Sequence, residues 1–583
     1  MKVIDFKDAS CKHCYKCVRS CTVKAIRVIH AQAQIMNEYC VLCGHCLEVC
    51  PQNAKTFASD MDRVREFLAN GDRVVISIAP SYLGILEYDA PGQVVDALER
   101  LGFSQVRETA EGAAYVTAAY SRLIAEGRMK NIITTCCPSI NDLIEKYYPD
   151  LTLYMAPVVS PMVAHGMLIK ELYGPETKVV FLGPCIAKKE EAEFDIRTRG
   201  YIDAVINFEE LEQWLADAHI DIRSCDVKKM ANPDPKVNRL YPVQNGVITS
   251  VMKNYFADEK LASMEPSDTV NNYNRIFVDG FDACRELFDG MKRGEFEHCF
   301  VEANMCEGGC IKGPAVSKLD ISRFKAKMNL EQQIDYEDPG FEPAPEKLHL
   351  EKLFYSRSNR DKMPSEDEIR VILKATGKYN KDQELNCGAC GYPTCRDKAI
   401  AVYQGKAEQE MCLPHAYEQA HSMANVVMET TPNAIFILDS DLKIMEFNRM
   451  AEKFFGINKD SALKAYIFEI MDSTDFEDVF KSHQSILRRK VDLAQYHLKL
   501  LETIVYIDDL DALLCILQDV SREEEKLEKE YDKKMEMVSS AQAVIDKQMM
   551  VAQEIAGLLG ETTAETKIIL SRLGDLILAD EGK

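Results

Sequence analysis

Three short apolar runs, VVISIA (74–79), KNIITT (130–135) and KVVFLG (178–183), recur between 60 and 315. The stretches between them return an apolar residue every three or four positions. Apolar runs alternating with amphipathic helices predict an α/β domain on a largely parallel sheet. A cysteine stands shortly beyond the second and third runs, at the carboxyl ends of predicted strands, where open α/β sheets place their sites. Residues 332–347 (QQIDYEDPGFEPAPEK) are acidic, rich in proline and without apolar periodicity, which predicts a connector. Mixed α/β patterning returns over 421–520. From 521 a charged helix begins. Leu527, Tyr531, Val538, Ala541, Ile545, Ala552, Ile555 and Leu559 fall on alternating three- and four-residue steps, with polar Lys534 and Gln548 inside the series. That is a coiled-coil seam and predicts a homodimer; a solvated single helix is the alternative.

At 583 residues the chain exceeds one core, so several domains are expected. With 46% hydrophobic and 28% charged residues the composition is that of an ordinary soluble protein. The net charge of −23 argues against nucleic acid and anionic membrane as partners, and favours redox partners with basic faces. Residues 1–10 (MKVIDFKDAS) lack the apolar core of a signal peptide, and no apolar run is long enough to span a bilayer. A cytoplasmic protein is the expectation. In a reducing compartment, 21 cysteines point to metal sites rather than disulfides.

Eight of those cysteines lie within 11–50. Residues 11–21 read C-x2-C-x2-C-x3-C, and 40–50 repeat the spacing. Three thiolates at two-residue gaps wrap one cubane, and the fourth completes the other. Cys11, Cys14, Cys17 and Cys50 then hold one [4Fe–4S] cluster, and Cys40, Cys43, Cys46 and Cys21 a second. The segment resembles a bacterial two-cluster ferredoxin domain, with Thr22 where proline often follows the fourth cysteine. Zinc held by cysteine with His13 or His45 is the competing reading.

Three separated segments carry the next set: TTCCPSI (134–140), GPCIAKKEE (183–191) and EANMCEGGC (302–310). They would deliver Cys137, Cys185, Cys306 and Cys310 from three loops of one α/β domain. Buried cysteines often only pack, but loop cysteines flanked by proline and glycine are poorly placed as core filler. These segments resemble the three signature motifs of [FeFe] hydrogenases, and the resemblance extends over roughly 1–320. It implies that the four cysteines bind the [4Fe–4S] half of an H-cluster. Cys310 would bridge to a di-iron subsite bearing carbon monoxide, cyanide and azadithiolate, installed by dedicated maturation proteins. It further implies that Cys136 is the proton-relay thiol, that Lys188 hydrogen-bonds a cyanide, and that Glu191 orients the lysine. Dihydrogen would be split heterolytically, protons leaving through Cys136 and electrons through the cubanes.

Departures from the motifs accompany the matches. Gly183 replaces a methionine, Asn304 and Met305 replace a methionine and a small residue, and IKGP follows Cys310 instead of a glycine-rich run. Ala156, in MAPVVSP, stands where a serine is expected. Glu108 and Glu111 are the candidates for the paired glutamates of the usual proton path. These changes predict slow turnover. Cys225, Cys284 and Cys299 fit no motif and read as structural.

Residues 387–412 read C-x2-C-x4-C-x16-C and resemble a small four-cysteine iron–sulfur domain. Cys387, Cys390, Cys395 and Cys412 would hold a further [4Fe–4S] cluster, with zinc as the competitor. The segment from 425 resembles a PAS domain: a strand after TPN, a turn at Asp439–Asp441, a second strand, then FNRMAEKFFG opening the helical part. His483, His497 and Cys515 read as ordinary residues there. No histidine follows His497, so a separate kinase or phosphatase must receive any signal.

The expected architecture is multidomain, α/β and α+β. It comprises a two-cluster ferredoxin-like domain (1–60), an H-cluster domain (61–331), a linker (332–365), a four-cysteine Fe–S domain (366–420), a PAS domain (421–520) and a coiled-coil helix (521–583). Three functions fit. The first is a sensory hydrogenase of the PAS-bearing branch, reporting H2 or redox state through its clusters, PAS domain and coil. The second is a metabolic hydrogenase working with ferredoxin. The third is an iron–sulfur redox protein without the di-iron subsite.

Overall fold

The computed structural model describes residues 3–6, 11–12, 14–29, 32–257, 273–316, 321–336, 338, 348–359, 361–556, 569 and 571–572. The chain divides into two units, Met1–His415 and Ala416–Lys583.

In the first unit the strand Val74–Ile78 is buried at every position. It lies between Gln105–Glu108 and Lys178–Leu182, with Ala204–Ile206 beyond, all four parallel. A strand covered on both faces needs apolar residues at successive positions, which is why it reads as a continuous run. A second parallel sheet orders Asn274–Asp279, Cys299–Asn304 and Ile132–Ile133. The sequence predicts one sheet and the chain builds two: apolar runs report strands, not which strands pair. The helices Ala110–Glu126 and Pro161–Tyr173 cross at Gly112, where a Cβ would fall 2.4 Å from the Pro161 carbonyl oxygen. Their contact buries Val116, Tyr120, Ile124, Val163 and Ile169.

The amino-terminal part holds two antiparallel ladders, Ile4–Phe6 with Lys55–Phe57 and Ile26–Ile29 with Gln32–Ile35. Each cysteine run turns through a left-handed residue, Tyr15 or Gly44, into a short helix, Lys16–Ser20 or His45–Glu48. Beyond the second sheet, residues 348–358 lie along the α/β domain. Leu350 accepts a backbone hydrogen bond from Val159 (2.9 Å), and the Lys352 amide donates to Pro157 (3.2 Å). This stretch falls within the predicted linker, whose residues 337, 339–347 and 360 lie outside the described ones. The four-cysteine region pairs the helix Glu366–Ala375, opened by a Ser365–Glu368 capping box, with Cys395–Tyr403.

The second unit is a five-stranded antiparallel sheet in the order Ile444–Phe447, Ala434–Leu438, Ala512–Asp519, Leu498–Ile507, Ile486–Leu493. Phe436, Phe447, Phe455 and Phe476 fill its core. Asn448 ties the first hairpin to the helix Arg449–Phe455: its Oδ1 accepts from Ile435 and Ala451 (both 2.9 Å), and its Nδ2 donates to Asn433 and Met428. Asp439 closes the predicted turn by accepting from Asp441 and Lys443. The helix Ser521–Ala556 follows, about 54 Å long at 1.5 Å per residue. Leu559, last of the predicted seam, lies outside the described residues.

Candidate metal centres

Three loops at the carboxyl ends of strands meet in the first unit. After Ile132–Ile133, Thr135 anchors its loop by donating its hydroxyl to Val158 (2.8 Å) and its amide to the Tyr120 hydroxyl (2.9 Å). Cys136 follows, its Sγ 3.3 Å from the same hydroxyl. Cys137 then caps the helix Pro138–Tyr147, with proline at the first position, where no amide is needed. After Lys178–Leu182 comes Cys185, and the Pro184 carbonyl accepts from Ala315 of the third loop (3.2 Å). Gly313 lies against the same carbonyl, 2.4 Å from where its Cβ would be. The third loop follows Cys299–Asn304 and turns through Gly308 and Gly309, both at positive φ. A Cβ on Gly309 would sit 2.4 Å from the Pro242 carbonyl oxygen, so glycine is required there.

This arrangement brings Cys137, Cys185, Cys306 and Cys310 close enough for their charges to act on one another. Each keeps some accessible surface, yet burial raises every one of the four thiols, as it does for groups lining an enclosed space. The thiols of Cys306 and Cys310 are raised further by their neighbours in the set. Four neighbouring thiols become good ligands once a metal supplies positive charge, since coordination deprotonates a thiol outright.

Lys188 donates to the Cys136 carbonyl (3.2 Å) and to Glu191 Oε2 (2.7 Å). Burial disfavours the Lys188 charge, and Glu191 with the nearby thiols more than offsets it, leaving the pKa raised. Glu191 is opposed by burial too, but Lys188, Lys352 and the Ser160 hydroxyl hold its pKa below the usual value. Lys352 Nζ stands 3.4 Å from Glu191 and 2.9 Å from Asp195. Burial pushes the Cys136 thiol up to about 12 against the Tyr120 hydrogen bond and the Lys188 charge.

Two further ligand sets are each gathered. One recess is lined by Cys11, Cys14, Cys17 and Cys50, the crossed pairing expected of two cubanes. Another is lined by Cys387, Cys390, Cys395 and Cys412. Backbone amides of Ala25, Leu42 and Ala54 donate to the sulfurs of Cys21, Cys40 and Cys50, and Lys378 Nζ lies 3.2 Å from Cys412 Sγ. Donors aimed at sulfur suit thiolate ligands. Among the described residues no three His, Cys, Asp or Glu side chains close on a single ion, whereas a cubane holds its thiolates at the corners of a wider box. His45 pairs with Glu48 at 3.3 Å, and His13 lies outside the described residues.

Glu108 and Glu111, the candidates for the paired glutamates, are both buried. Glu108 forms a two-point pair with Arg239, and Glu111 pairs with Arg107 and His165. The hydroxyl beside Cys136 belongs to Tyr120. Tyr120, Ser160 and Lys352 escaped the sequence reading because no motif contains them; only Ser160 lies in a quoted segment. Cys225, Cys284, Cys299 and Cys515 are buried, and His483 stacks on Tyr506.

Comparison with known proteins matches residues 72–314 to the iron-only hydrogenase large subunit, C-terminal domain. The chain carries an iron-only hydrogenase domain. Around this hydrogenase domain, residues 2–51 match a 4Fe–4S dicluster domain, 383–414 an Fe–S cluster family and 423–496 the PAS fold. The NADP-reducing hydrogenase subunit HndD of Solidesulfovibrio fructosivorans is 28% identical over 48% of this chain and 56% of its own length. Iron hydrogenase 1 of Clostridium pasteurianum is 26% identical over 49% and 66%. The chain thus spans between half and two thirds of the length of these relatives. A solved structure of HydA1 from Chlamydomonas reinhardtii is 18% identical, covering 52% of this chain and 99% of its own, with a TM-score of 0.42. No helix among the described residues is long and apolar enough to cross a membrane.

Proposed function

We propose that this chain is a sensory [FeFe] hydrogenase, which splits dihydrogen reversibly and slowly at an H-cluster. It passes the resulting redox state through its Fe–S clusters, PAS domain and coil to a separate kinase or phosphatase. One observation carries the reading. Cys137, Cys185, Cys306 and Cys310 converge beside Cys136 and the Lys188–Glu191 pair, in a chain that also folds a PAS domain.

When bound, the H-cluster supplies heterolytic cleavage of dihydrogen and one-electron exchange. Cys137, Cys185, Cys306 and Cys310 would be its ligands. Cys136 holds a proton on its sulfur with Tyr120 as hydrogen-bond partner. Lys188 presents an ammonium to a bound anion, and Glu191 keeps it in place. The remaining three cysteine sets would each hold a further cubane. H2 and protons, a ferredoxin-type electron carrier, maturation proteins and a second copy of the chain are the partners of this reading.

A second reading, an iron–sulfur redox sensor without the di-iron subsite, draws on one observation. At Gly183, where catalytic relatives carry methionine, a Cβ would lie 2.6 Å from the Phe181 ring. A side chain at 183 would have to displace that ring. Infrared spectroscopy after maturation separates the two readings, because only the first produces carbonyl and cyanide bands. Turnover then separates sensor from metabolic enzyme: a rate near that of catalytic relatives would sink the sensory assignment.

A further inference from the structure

The helix Lys16–Ser20 delivers Cys17 and leads into Cys21, and its outer side is covered by the four-cysteine region. Gly391 (φ +96°) packs so closely that a Cβ there would lie 2.8 Å from Val18 Cγ1 and 3.2 Å from the Arg19 amide. Arg19 Nη1 donates to the Ala389 carbonyl (3.1 Å), between Cys387 and Cys390. Lys24 Nζ donates to the carbonyls of Val18 (3.2 Å) and Arg19 (3.3 Å) and stands 5.9 Å from the centre of the Tyr392 ring. There it interacts electrostatically with both Cys21 and Cys390. Val18, Ile26 and Leu42 share one apolar core with Tyr392, Ala401 and Met411.

The same ligand set meets the hydrogenase domain on another side. Gly44, next to Cys43, lies against Pro314 and Ile186: a Cβ would be 2.4 Å from Pro314 Cβ and 3.0 Å from Ile186 Cδ1. Ile186 adjoins Cys185, and Cys43 and Cys306 feel one another's charge. The recess of Cys11, Cys14, Cys17 and Cys50 differs. Among the described residues its lining comes from 11–55, and Cys14 is exposed.

We propose that the site of Cys21, Cys40, Cys43 and Cys46 is the branch point of an internal electron path, and that the four-cysteine site is docked on it as a side branch. The four-cysteine cluster is then charged from the ferredoxin domain, not directly from the hydrogenase domain. Each transfer oxidises the branch-point cluster by one electron and reduces the four-cysteine cluster by one, with no bond made or broken. The electron comes from H2 oxidation or from an external low-potential one-electron carrier, for which the exposed Cys14 side is the entry. Lys24, an ammonium between the two sites, favours electron addition at both, since cluster potentials follow local charge. The inference rests on the ligand sets of the proposed function but not on its hydrogen chemistry.

The test is electron paramagnetic resonance of the dithionite-reduced full-length protein, prepared without the di-iron subsite and with its iron counted. The double variant Cys390→Ser/Cys412→Ser is expected to remove a spin–spin interaction from one ferredoxin-domain signal and leave the other unchanged. Lys24→Met removes no ligand, so it serves if the double variant fails to fold. It is expected to lower the midpoint potentials of the four-cysteine cluster and one ferredoxin-domain cluster together, with the other clusters unmoved. A four-cysteine site without an iron–sulfur cluster, a cluster there with no interaction with the ferredoxin domain, or a Lys24→Met shift confined to one cluster would overturn the proposal. Missing carbonyl and cyanide bands in matured protein would instead strike the hydrogenase reading alone.

Discussion

Tyr120 and Cys136 show how one buried hydroxyl decides what a thiol does. The hydroxyl accepts from the Thr135 amide and lies 3.3 Å from Cys136 Sγ and 3.2 Å from Thr135 Oγ1, contacts in which either atom can be the donor. Burial keeps Cys136 protonated at neutral pH, and a thiol so held moves protons by exchange rather than by standing ionised. Cys136→Ala is expected to slow hydrogen–deuteron exchange by about 100-fold or more while iron content stays the same. Unchanged exchange in mass spectrometry of the gas phase would remove Cys136 from the relay. In the PAS unit, Glu502 sits opposite Leu517 with its Oε2 unpartnered, and its pKa is pushed up to about 7 by burial first and Asp475 next. A carboxyl whose pKa is raised by folding binds its proton more tightly in the folded state. Its stabilisation is therefore complete below the unfolded pKa, about 4.3, and is lost as pH rises through about 7. Calorimetry should show the PAS transition less stable at pH 8 than at pH 5 by about 2 kcal/mol. Glu502→Gln should flatten that difference, and a slope that survives the substitution would assign it to another group.

Two elements carry consequences of their own. The segment 348–358 is a strap. Lys352 is buried between Glu191 and Asp195, Arg357 reaches Asp142 (2.8 Å), and Lys146, also on Asp142, donates to the Cys40 carbonyl (2.6 Å). The strap so links the pair at the candidate H-cluster site to the ferredoxin domain. Removing one partner of a buried ion pair leaves the other uncompensated, so Lys352→Met is expected to cost about 3 kcal/mol. An unshifted denaturant midpoint of the first unit would reduce the strap to a tether. The helix Ser521–Ala556 is tied to the PAS sheet by the Lys499 amide on Ser521 Oγ (2.9 Å) and by the exposed pairs Lys490–Glu524 and Lys499–Glu528. Exposed pairs are weak and screened by solvent, which suits a junction meant to shift. Farther along, Leu527, Tyr531 and Ile555 are more than half exposed, as a seam awaiting its partner would be. Deleting 523–583 is expected to give a monomer with full iron content by light scattering; a dimer would refute the seam.

Across the whole molecule, what could be read from sequence followed how local each constraint is. Ligand spacing is written along the chain because a cubane dictates it. The Cys11–Cys50 repeat and the three motif loops were therefore legible, as were strands buried on both faces. Contacts made only by folding were not. Tyr120 meets Cys136 from a helix with no motif, and Lys352 looks like any solvated lysine until the strap buries it. Glu108 meets Arg239 from 131 residues away along the chain. The division of the parallel strands into two sheets depends on pairing that no apolar run encodes. The central claim concerns one site, and infrared spectroscopy of anaerobically purified, matured protein tests it most directly. Carbonyl and cyanide bands that shift under hydrogen are the predicted result. Iron for the cubanes alone, with no such bands, would contradict the account and leave an iron–sulfur redox sensor in its place.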